Sequence, residues 1–397
     1  MRGVLVTDEL DWAAFAAEHW DRGPVLFRQV RRPPFVSREV FDAAVLAAAS
    51  ADADALPAGT QFTIERWQQT RPGAWLPRAA DGSFDGYQHR LADQLDGRRY
   101  ALVINRFHTL HHPQWTRERE FYGDLWAAVG QPISGGITTM FHGTYEHSPV
   151  GVHKDRFATF MFALHGRKRM RFWPECPWTG SATTVLDYQP YVADSFPVEV
   201  EPGDLLYWPA SYFHVGESVD DGPATSVNIG VPREGHRASY DLDDLLPEML
   251  PGSRSAALFT EHAEDEPLTD DLPAALAGSL ARLVEYGGRL PDRTAELALR
   301  HRTGGGFRPP PPPAEPVALD DDAVVRAVAP IVVAAHDGGS LCAANGHVTR
   351  VATTADELNR ALAPLRAGRA MPAGQLAGVR ELLVTLESWH AISRDPD

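Results

Sequence analysis

His153 and Asp155 stand one residue apart in Gly151-Val152-His153-Lys154-Asp155. On a β-strand alternate side chains share a face, so the imidazole and the carboxylate point together while Lys154 points away. Such a pair supplies two neighbouring ligands to a divalent metal. His214 is the best third ligand. It follows Pro202-Gly203-Asp204 and the apolar run Leu205-Leu206-Tyr207-Trp208-Pro209, a turn and a buried strand that return the chain to the same mouth. Two imidazoles and one carboxylate on one face of an octahedron leave three positions open. A bidentate 2-oxo acid and dioxygen fill those positions in a non-haem Fe(II) oxygenase. An isolated His-x-Asp is more often a chance or surface pair. The β-rich context and the turn–strand–His element favour the metal here.

A second anomaly agrees with this chemistry. In Lys168-Arg169-Met170-Arg171-Phe172-Trp173 the alternation puts Lys168 on a face with Met170 and Phe172. An ammonium on an apolar inward face is costly unless an anion meets it, and the far carboxylate of a dicarboxylate cosubstrate would be that anion. A register one residue off would instead place Lys168 in solvent and Trp173 inside. His108, His111 and His112 fall in a polar, proline-containing stretch and read as solvated or structural. His142 and His147 lie just before the His-x-Asp strand and can line the mouth.

The elements that must position these residues follow from breaks in composition. Residues 1 to about 125 read as mixed α/β, with Thr7 capping a helix through Phe15 and Trp20, Ser37 capping another, and Val25-Leu26-Phe27 a short strand. From about 126 to 235, short β-branched and aromatic runs (GGITTMFHG, FATFMFALHG, KRMRFWP, VEVEPGD, LLYWP, TSVNIGVP) alternate with Gly, Pro and Asp breaks. That pattern predicts an antiparallel barrel or sandwich. Residues 236 to about 305 turn helical and acidic. GGGFRPPPPPAEP then reads as a stiff, extended linker. The tail, 317–397, reads as a compact helical module with a small hairpin around Leu341 to Val351.

The segment from about 100 to 235 resembles the JmjC-type, cupin-like 2-oxoglutarate/Fe(II) oxygenases, especially the ribosomal oxygenase branch that hydroxylates protein side chains. That family carries its site on a His-x-Asp strand, a basic residue 13 positions after the Asp and a distal His after a PGD-type turn; here these are His153, Asp155, Lys168 and His214. Gly166-Arg167-Lys168 and PGDLLYWPASYFHVGES look like its hairpin and distal-His segments, and Ser226-Val227-Asn228-Ile229 like its closing strand. Several relatives place an Asn 14 residues before the first ligand, where this chain has Thr139, whose hydroxyl can still donate a hydrogen bond. The resemblance implies an α+β fold: a double-stranded β-helix (cupin or jelly-roll) barrel with flanking helices, then a helical region and a C-terminal winged-helix-like domain. The implied boundaries are a catalytic domain over 1–235 with its barrel core at about 126–235, a helical and dimerisation region over 236–305, a linker over 306–316 and the last domain over 317–397. It also implies Fe(II) held by His153, Asp155 and His214, with 2-oxoglutarate and O2 as cosubstrates. Lys168 would anchor the far carboxylate, Thr139 and Tyr145 would add hydrogen bonds, and Asn228 would lie near the keto-acid end.

Three functions compete at this point. One is a hydroxylase of protein or peptide side chains. Another is a 2-oxoglutarate oxygenase acting on a small molecule or free amino acid. The last is a non-catalytic cupin-like binding protein. The retained carboxylate Asp155 tells against halogenation. The net charge of −16, from 37 Lys+Arg and 53 Asp+Glu, excludes a bulk nucleic-acid coat. From residue 317 onward 7 Arg face 10 acidic residues, a poor balance for DNA binding, so no direct nucleic-acid partner is expected. The 2 cysteines, Cys176 and Cys342, stand far apart, as fits a reducing cytoplasm. The start MRGVLVTDELDWAAF has no apolar export core, and no run of 18 apolar residues occurs, so no membrane segment is expected. Leu272, Ala275, Leu276, Ser279, Leu280 and Leu283 form a stripe at helical spacing that suits either a homodimer or packing on the chain's own barrel.

Overall fold

The computed structural model describes residues 3–50, 56–145, 150–219, 222–233 and 290–394, with 281, 284 and 287. The chain divides into two units: residues 1–234 with 304–316, and residues 235–303 with 317–397. Among its described residues the first unit carries twelve strands: β1 Leu5–Thr7, β2 Val25–Phe27, β3 Thr60–Ile64, β4 Trp67–Gln68, β5 Tyr100–Asn105, β6 Ile137–Gly143, β7 Phe157–His165, β8 Lys168–Trp173, β9 Phe196–Val200, β10 Leu205–Trp208, β11 Phe213–Ser218 and β12 Ala224–Pro232. Nine form one sheet in the order β1-β2-β10-β7-β12-β6-β5-β3-β4, and three form a second in the order β11-β8-β9. All pairings are antiparallel except β1 with β2. The barrel expected over 126–235 is thus present, and strands from the first 105 residues widen its larger sheet.

Strand alternation builds two cores from this one sheet. In β7, Phe160 and Phe162 turn toward the helices, while Met161 and Ala163 turn toward the second sheet. The helix side is covered by α1 Trp12–Glu18, α2 Ser37–Ala49, α3 Phe84–Leu95 and α4 His112–Val129, which bring Phe15, Phe41, Tyr87, Trp115 and Tyr122 fully into the core. Each such side chain contributes on the order of 2–3 kcal/mol when buried. Between the sheets, Met161, Leu206 and Trp208 pack on Met170, Phe172 and Val200. That layer closes one end of the barrel and leaves the other end open.

Several local expectations are corrected. The cap of α1 is Asp11, whose carboxylate accepts from the N–H groups of Ala13 and Ala14; Thr7 ends β1, and Trp20 lies beyond the helix. An Asp directly before the first turn outcompetes a Thr four residues earlier because only it reaches the free amides. Ser37 is the first residue of α2 and Val36 its cap position, with no side-chain capping bond. The segment read as a stiff, extended linker belongs to the first unit and packs into it at its start: Phe307 is buried, bridges Gly136 and lies among the core aromatics.

The second unit ends the acidic region in a helix, Leu290–Gly304, then continues with strands as well as helices. Val332–His336, Gly339–Ala344 and His347–Val351 form one antiparallel sheet. The hairpin expected near Leu341 is its second half, turned by Asn345-Gly346, both at positive φ. Met371–Pro372, Val324–Ala327 and Ile392–Arg394 form another sheet in that order, and helices Ala355–Arg366 and Arg380–Ser388 bury Leu358, Leu362, Leu383 and Leu386. The tail therefore holds more strand than the one hairpin expected. The stripe from Leu272 to Leu283 lies outside the described residues. Among the described residues, no helix is long and apolar enough to cross a membrane.

Candidate metal centre and its pocket

The open end of the barrel holds a cavity of about 330 Å³ between the two sheets. His153 and His214 face each other across it. They form an antiparallel backbone pair, His153 N donating to His214 O at 3.1 Å and His214 N donating to His153 O at 2.8 Å. A directly opposed pair puts both side chains on one face, and the ring centroids are 4.5 Å apart. The His-x-Asp segment is an isolated bridge rather than the expected regular strand. The alternation survives: His153 and Asp155 turn inward, and Lys154 is exposed against the Phe213 ring. Gly151, at φ +73°, makes this approach possible, since a Cβ there would stand 2.4 Å from Val185 O.

Asp155 lies between the two rings, with Oδ1 3.4 Å from His153 Nε2 and Oδ2 3.5 Å from His214 Nε2. One ligand atom from each of the three lies within 4.8 Å of the others. His153 Nδ1 donates to Gly151 O at 2.9 Å and His214 Nδ1 donates to Tyr212 O at 3.3 Å. Holding the proton on Nδ1 leaves each Nε2 lone pair aimed at the centre, as a metal requires. Burial opposes charge on all three groups. At His214 burial prevails and lowers the pKa, whereas at His153 the Asp155 carboxylate overcomes burial and raises it. Burial would raise Asp155 too, but the two imidazoles hold it well below the usual carboxylate range. The donor set of two imidazoles and one carboxylate fits a divalent transition metal.

Lys168 points inward from β8 and is 4% exposed, so the inward register holds. Its ammonium donates to Ser226 Oγ at 3.0 Å and lies over the rings of Phe141 (4.9 Å) and Tyr145 (5.6 Å). Among the described residues no carboxylate pairs with it. Gly216 on β11 leaves room for its stem, because a Cβ there would meet Lys168 Cε at 3.1 Å. Thr139 and Asn228, opposite each other on β6 and β12, both line the cavity. Among the described residues, the Asn228 Oδ1 and Trp208 Nε1 atoms are buried without partners.

Two residues of the pocket were not singled out from sequence. Ser226 shares a strand face with Asn228 and is the hydroxyl that meets Lys168; period-two alternation along TSVNIG contained that signal. Asn105, the polar end of the apolar run YALVIN, accepts from Thr139 Oγ1 at 3.2 Å. Other expectations are not met. His142 is buried on the opposite face of β6, between Tyr100 Oη (2.8 Å) and Thr225 Oγ1 (2.9 Å), and does not line the mouth. His147 lies outside the described residues. His108 agrees with the structural reading given to it, being fully buried. His112 begins α4.

Residues 126–236 match the family model described as the JmjC domain. The chain is 23% identical over 257 residues to the ribosomal protein uL16 3-hydroxylase of Escherichia coli (strain K12). That alignment covers 62% of this chain and 59% of the relative, so it spans less than two thirds of the relative's length. Among solved structures, the E. coli ribosomal oxygenase YcfD is similar with a TM-score of 0.49 and 17% identity, over 98% of this chain and 99% of that one. The same enzyme in complex with cobalt and 2-oxoglutarate gives a TM-score of 0.47 at 17% identity, with the same 98% and 99% coverage. Strands β6 to β12, which carry or flank His153, Asp155, Lys168 and His214, lie within the residues that match the JmjC domain model.

Proposed function

We propose that the chain is an Fe(II)- and 2-oxoglutarate-dependent oxygenase that hydroxylates a side chain of a protein or peptide. One observation carries this reading: a two-His, one-carboxylate cluster shares a cavity with a buried ammonium that has no carboxylate partner among the described residues. His153, Asp155 and His214 would hold the metal, and the carbonyl-anchored Nδ1 atoms of the two histidines fix their rings. A ferrous ion bound there would supply the chemistry by which 2-oxoglutarate, dioxygen and a substrate C–H bond give succinate, carbon dioxide and an alcohol.

The chain's own residues bind, orient and exclude water. The Lys168 ammonium and Ser226 hydroxyl take the far carboxylate of 2-oxoglutarate at the floor of the cavity. Phe141, Tyr145 and Met170 wall that floor off from solvent, which strengthens the ion pair. Thr139, positioned by Asn105, and the unpaired Asn228 Oδ1 face the keto-acid end. The similarity to a ribosomal protein hydroxylase supports a protein substrate, as does the −16 net charge, which suits a basic polypeptide.

The domain limits belong to the same proposal: 1–235 catalytic, 236–305 helical and dimer-forming, and 317–397 a winged-helix-like module that contacts partners rather than nucleic acid, in a cytoplasmic enzyme. Incubating the protein with Fe(II), 2-oxoglutarate, air and ribosomal proteins should give a product heavier by one oxygen atom on mass spectrometry. His153→Ala should abolish it, a loss of ~100-fold or more given that even ligand-supporting residues cost 10–100-fold. Product that persists in the variant would reject the site.

A further inference from the structure

We propose that the chain between β8 and β9, residues 174–195, is the support that holds His153 in place, with Tyr188 as the positioning residue that locks it. The inference rests on the metal reading of the triad above and concerns what keeps that triad assembled. Among the described residues, two isolated backbone pairs hold the His-x-Asp segment, with no continuous ladder. Successive residues of an extended chain turn their peptide groups to opposite sides. His153 therefore spends its N–H and C=O on His214 of β11, and Val152 spends its own on the other side. There Val152 N donates to Val185 O at 2.8 Å, and Val185 N donates to Val152 O at 3.0 Å. The first ligand thus sits on a short middle strand, with β11 along one edge and the insertion along the other.

The insertion also packs behind the ligand. Val152, whose side chain turns away from the cluster, is buried with Trp173, Trp178, Tyr188 and Val215 in a core of its own. By alternation, Trp173 and Val215 stand on the faces of β8 and β11 opposite those that present Lys168 and His214. Tyr188 ties this core to both strands. Its ring meets Trp173 edge-on at 5.9 Å, and its hydroxyl donates to Glu217 Oε1 at 2.6 Å. Glu217 is buried on β11, three residues after His214, and also accepts from Arg171 Nε of β8 at 3.0 Å. Charge-assisted bonds of this kind are among the strongest a buried carboxylate makes. Tyr188 follows Val185 by three residues, so the anchor fixes the insertion against the strand that carries the second imidazole. Trp173 Nε1 donates to Tyr191 O at 2.8 Å and Arg171 donates to Ser195 Oγ at 3.1 Å, which secures the far end of the insertion. With Val185 held, Val152 cannot slide, and the His153 ring stays opposite His214. Lys168 lies at the other end of β8 and on its other face, outside this support.

Calorimetry of the full chain with Mn(II), then of the Mn(II)-saturated protein with 2-oxoglutarate, tests the assignment. Val185→Pro removes the N–H that meets Val152 and should weaken Mn(II) binding about 10- to 100-fold, as loss of ligand support does. Tyr188→Phe keeps the ring and loses only the bond to Glu217, so about tenfold, the low end of that range, is expected. Affinity for 2-oxoglutarate at saturating Mn(II) should stay as in the unmodified protein. Leu95→Ala, a core truncation at the end of α3, should lower Tm at least as far as Tyr188→Phe and leave Mn(II) binding intact. Unchanged Mn(II) binding in Tyr188→Phe overturns the inference, as does an equal loss in Leu95→Ala. If Val185→Pro does not fold, Tyr188→Phe decides alone. Should His153→Ala bind Mn(II) as well as the unmodified protein, the metal reading fails and this inference with it. If His153→Ala loses the metal while Tyr188→Phe keeps it, only the positioning role has failed.

Discussion

The larger sheet buries polar groups on both of its faces, and the two faces treat them differently. On the helix side a chain of hydrogen bonds links several of them. His108 Nε2 donates to Pro309 O at 2.9 Å, Thr138 N donates to His108 Nδ1 at 3.2 Å, Thr138 Oγ1 donates to Glu118, and Gln114 Nε2 donates to Glu118 Oε1 at 3.0 Å. Burial favours the neutral form of the two titratable groups, lowering the His108 pKa to about 4 and raising that of Glu118 to about 7. On the pocket side, among the described residues, Lys168 has a hydroxyl and two rings but no carboxylate, and Asn228 Oδ1 has no partner. An unpaired atom alone does not mark a site, because the Tyr122 hydroxyl on the helix side is unpaired as well. What distinguishes the pocket is open volume beside a buried cation. A protein that buries a charge without its counter-ion is arranged for a ligand that brings one.

The contrast can be broken most strongly at Lys168. Lys168→Met should weaken 2-oxoglutarate binding by about 10- to 100-fold, as expected from losing about 1.5–3 kcal/mol of charge-assisted hydrogen bonding. Mn(II) binding, followed in the same calorimeter, should hold. If the metal weakens equally, the lysine shapes the triad instead of receiving the cosubstrate. A smaller effect is expected from Gly216→Val, which crowds the lysine stem without touching a ligand. Overpacking of about 1–3 kcal/mol should raise KM for 2-oxoglutarate roughly 5- to 100-fold, and an unchanged KM would show that the ammonium has room elsewhere.

The helix side sharpens the comparison through pH. Glu118 has its pKa raised from 4.5 to about 7, so its contribution to stability is complete below about pH 4.5 and is lost as pH rises through 7. His108 runs the other way: lowered from 6.5 to about 4, it contributes fully above pH 6.5 and loses that contribution as pH falls toward 4. Glu118→Gln should therefore raise Tm at pH 8 by roughly 2–4 °C and change it little at pH 4.5. A variant less stable at pH 8 would mean that Glu118 is charged and paired in the fold.

Much of the pocket side was legible because its chemistry repeats at short range. His153, Asp155 and Lys168 announce themselves by residue type and period-two spacing on predicted strands. His214 required only that a PGD turn and an apolar strand bring the chain back. Ser226 and Asn105 stayed hidden because a Ser in a β-branched run and an Asn at a strand end have ordinary structural explanations, and only the pairing of β5, β6 and β12 singles them out. The helix side was least legible. His108 and Phe307 meet across two hundred residues, and no local pattern in NRFHTLHH or GGGFRPPPPP encodes that contact. The caps at Asp11 and Val36 failed by a few positions, since several Ser, Thr and Asp residues compete there and backbone geometry decides among them.

The central claim is that three side chains grip one ion while Lys168 waits for the far end of its cosubstrate. Crystals of the protein grown anaerobically with Mn(II) and 2-oxoglutarate test it most directly. The account predicts one anomalous peak within about 2.0–2.3 Å of His153 Nε2, His214 Nε2 and an Asp155 oxygen, with a dicarboxylate running from that ion to the Lys168 ammonium. Metal bound elsewhere, or a cosubstrate whose far carboxylate leaves Lys168 unpaired, would contradict it.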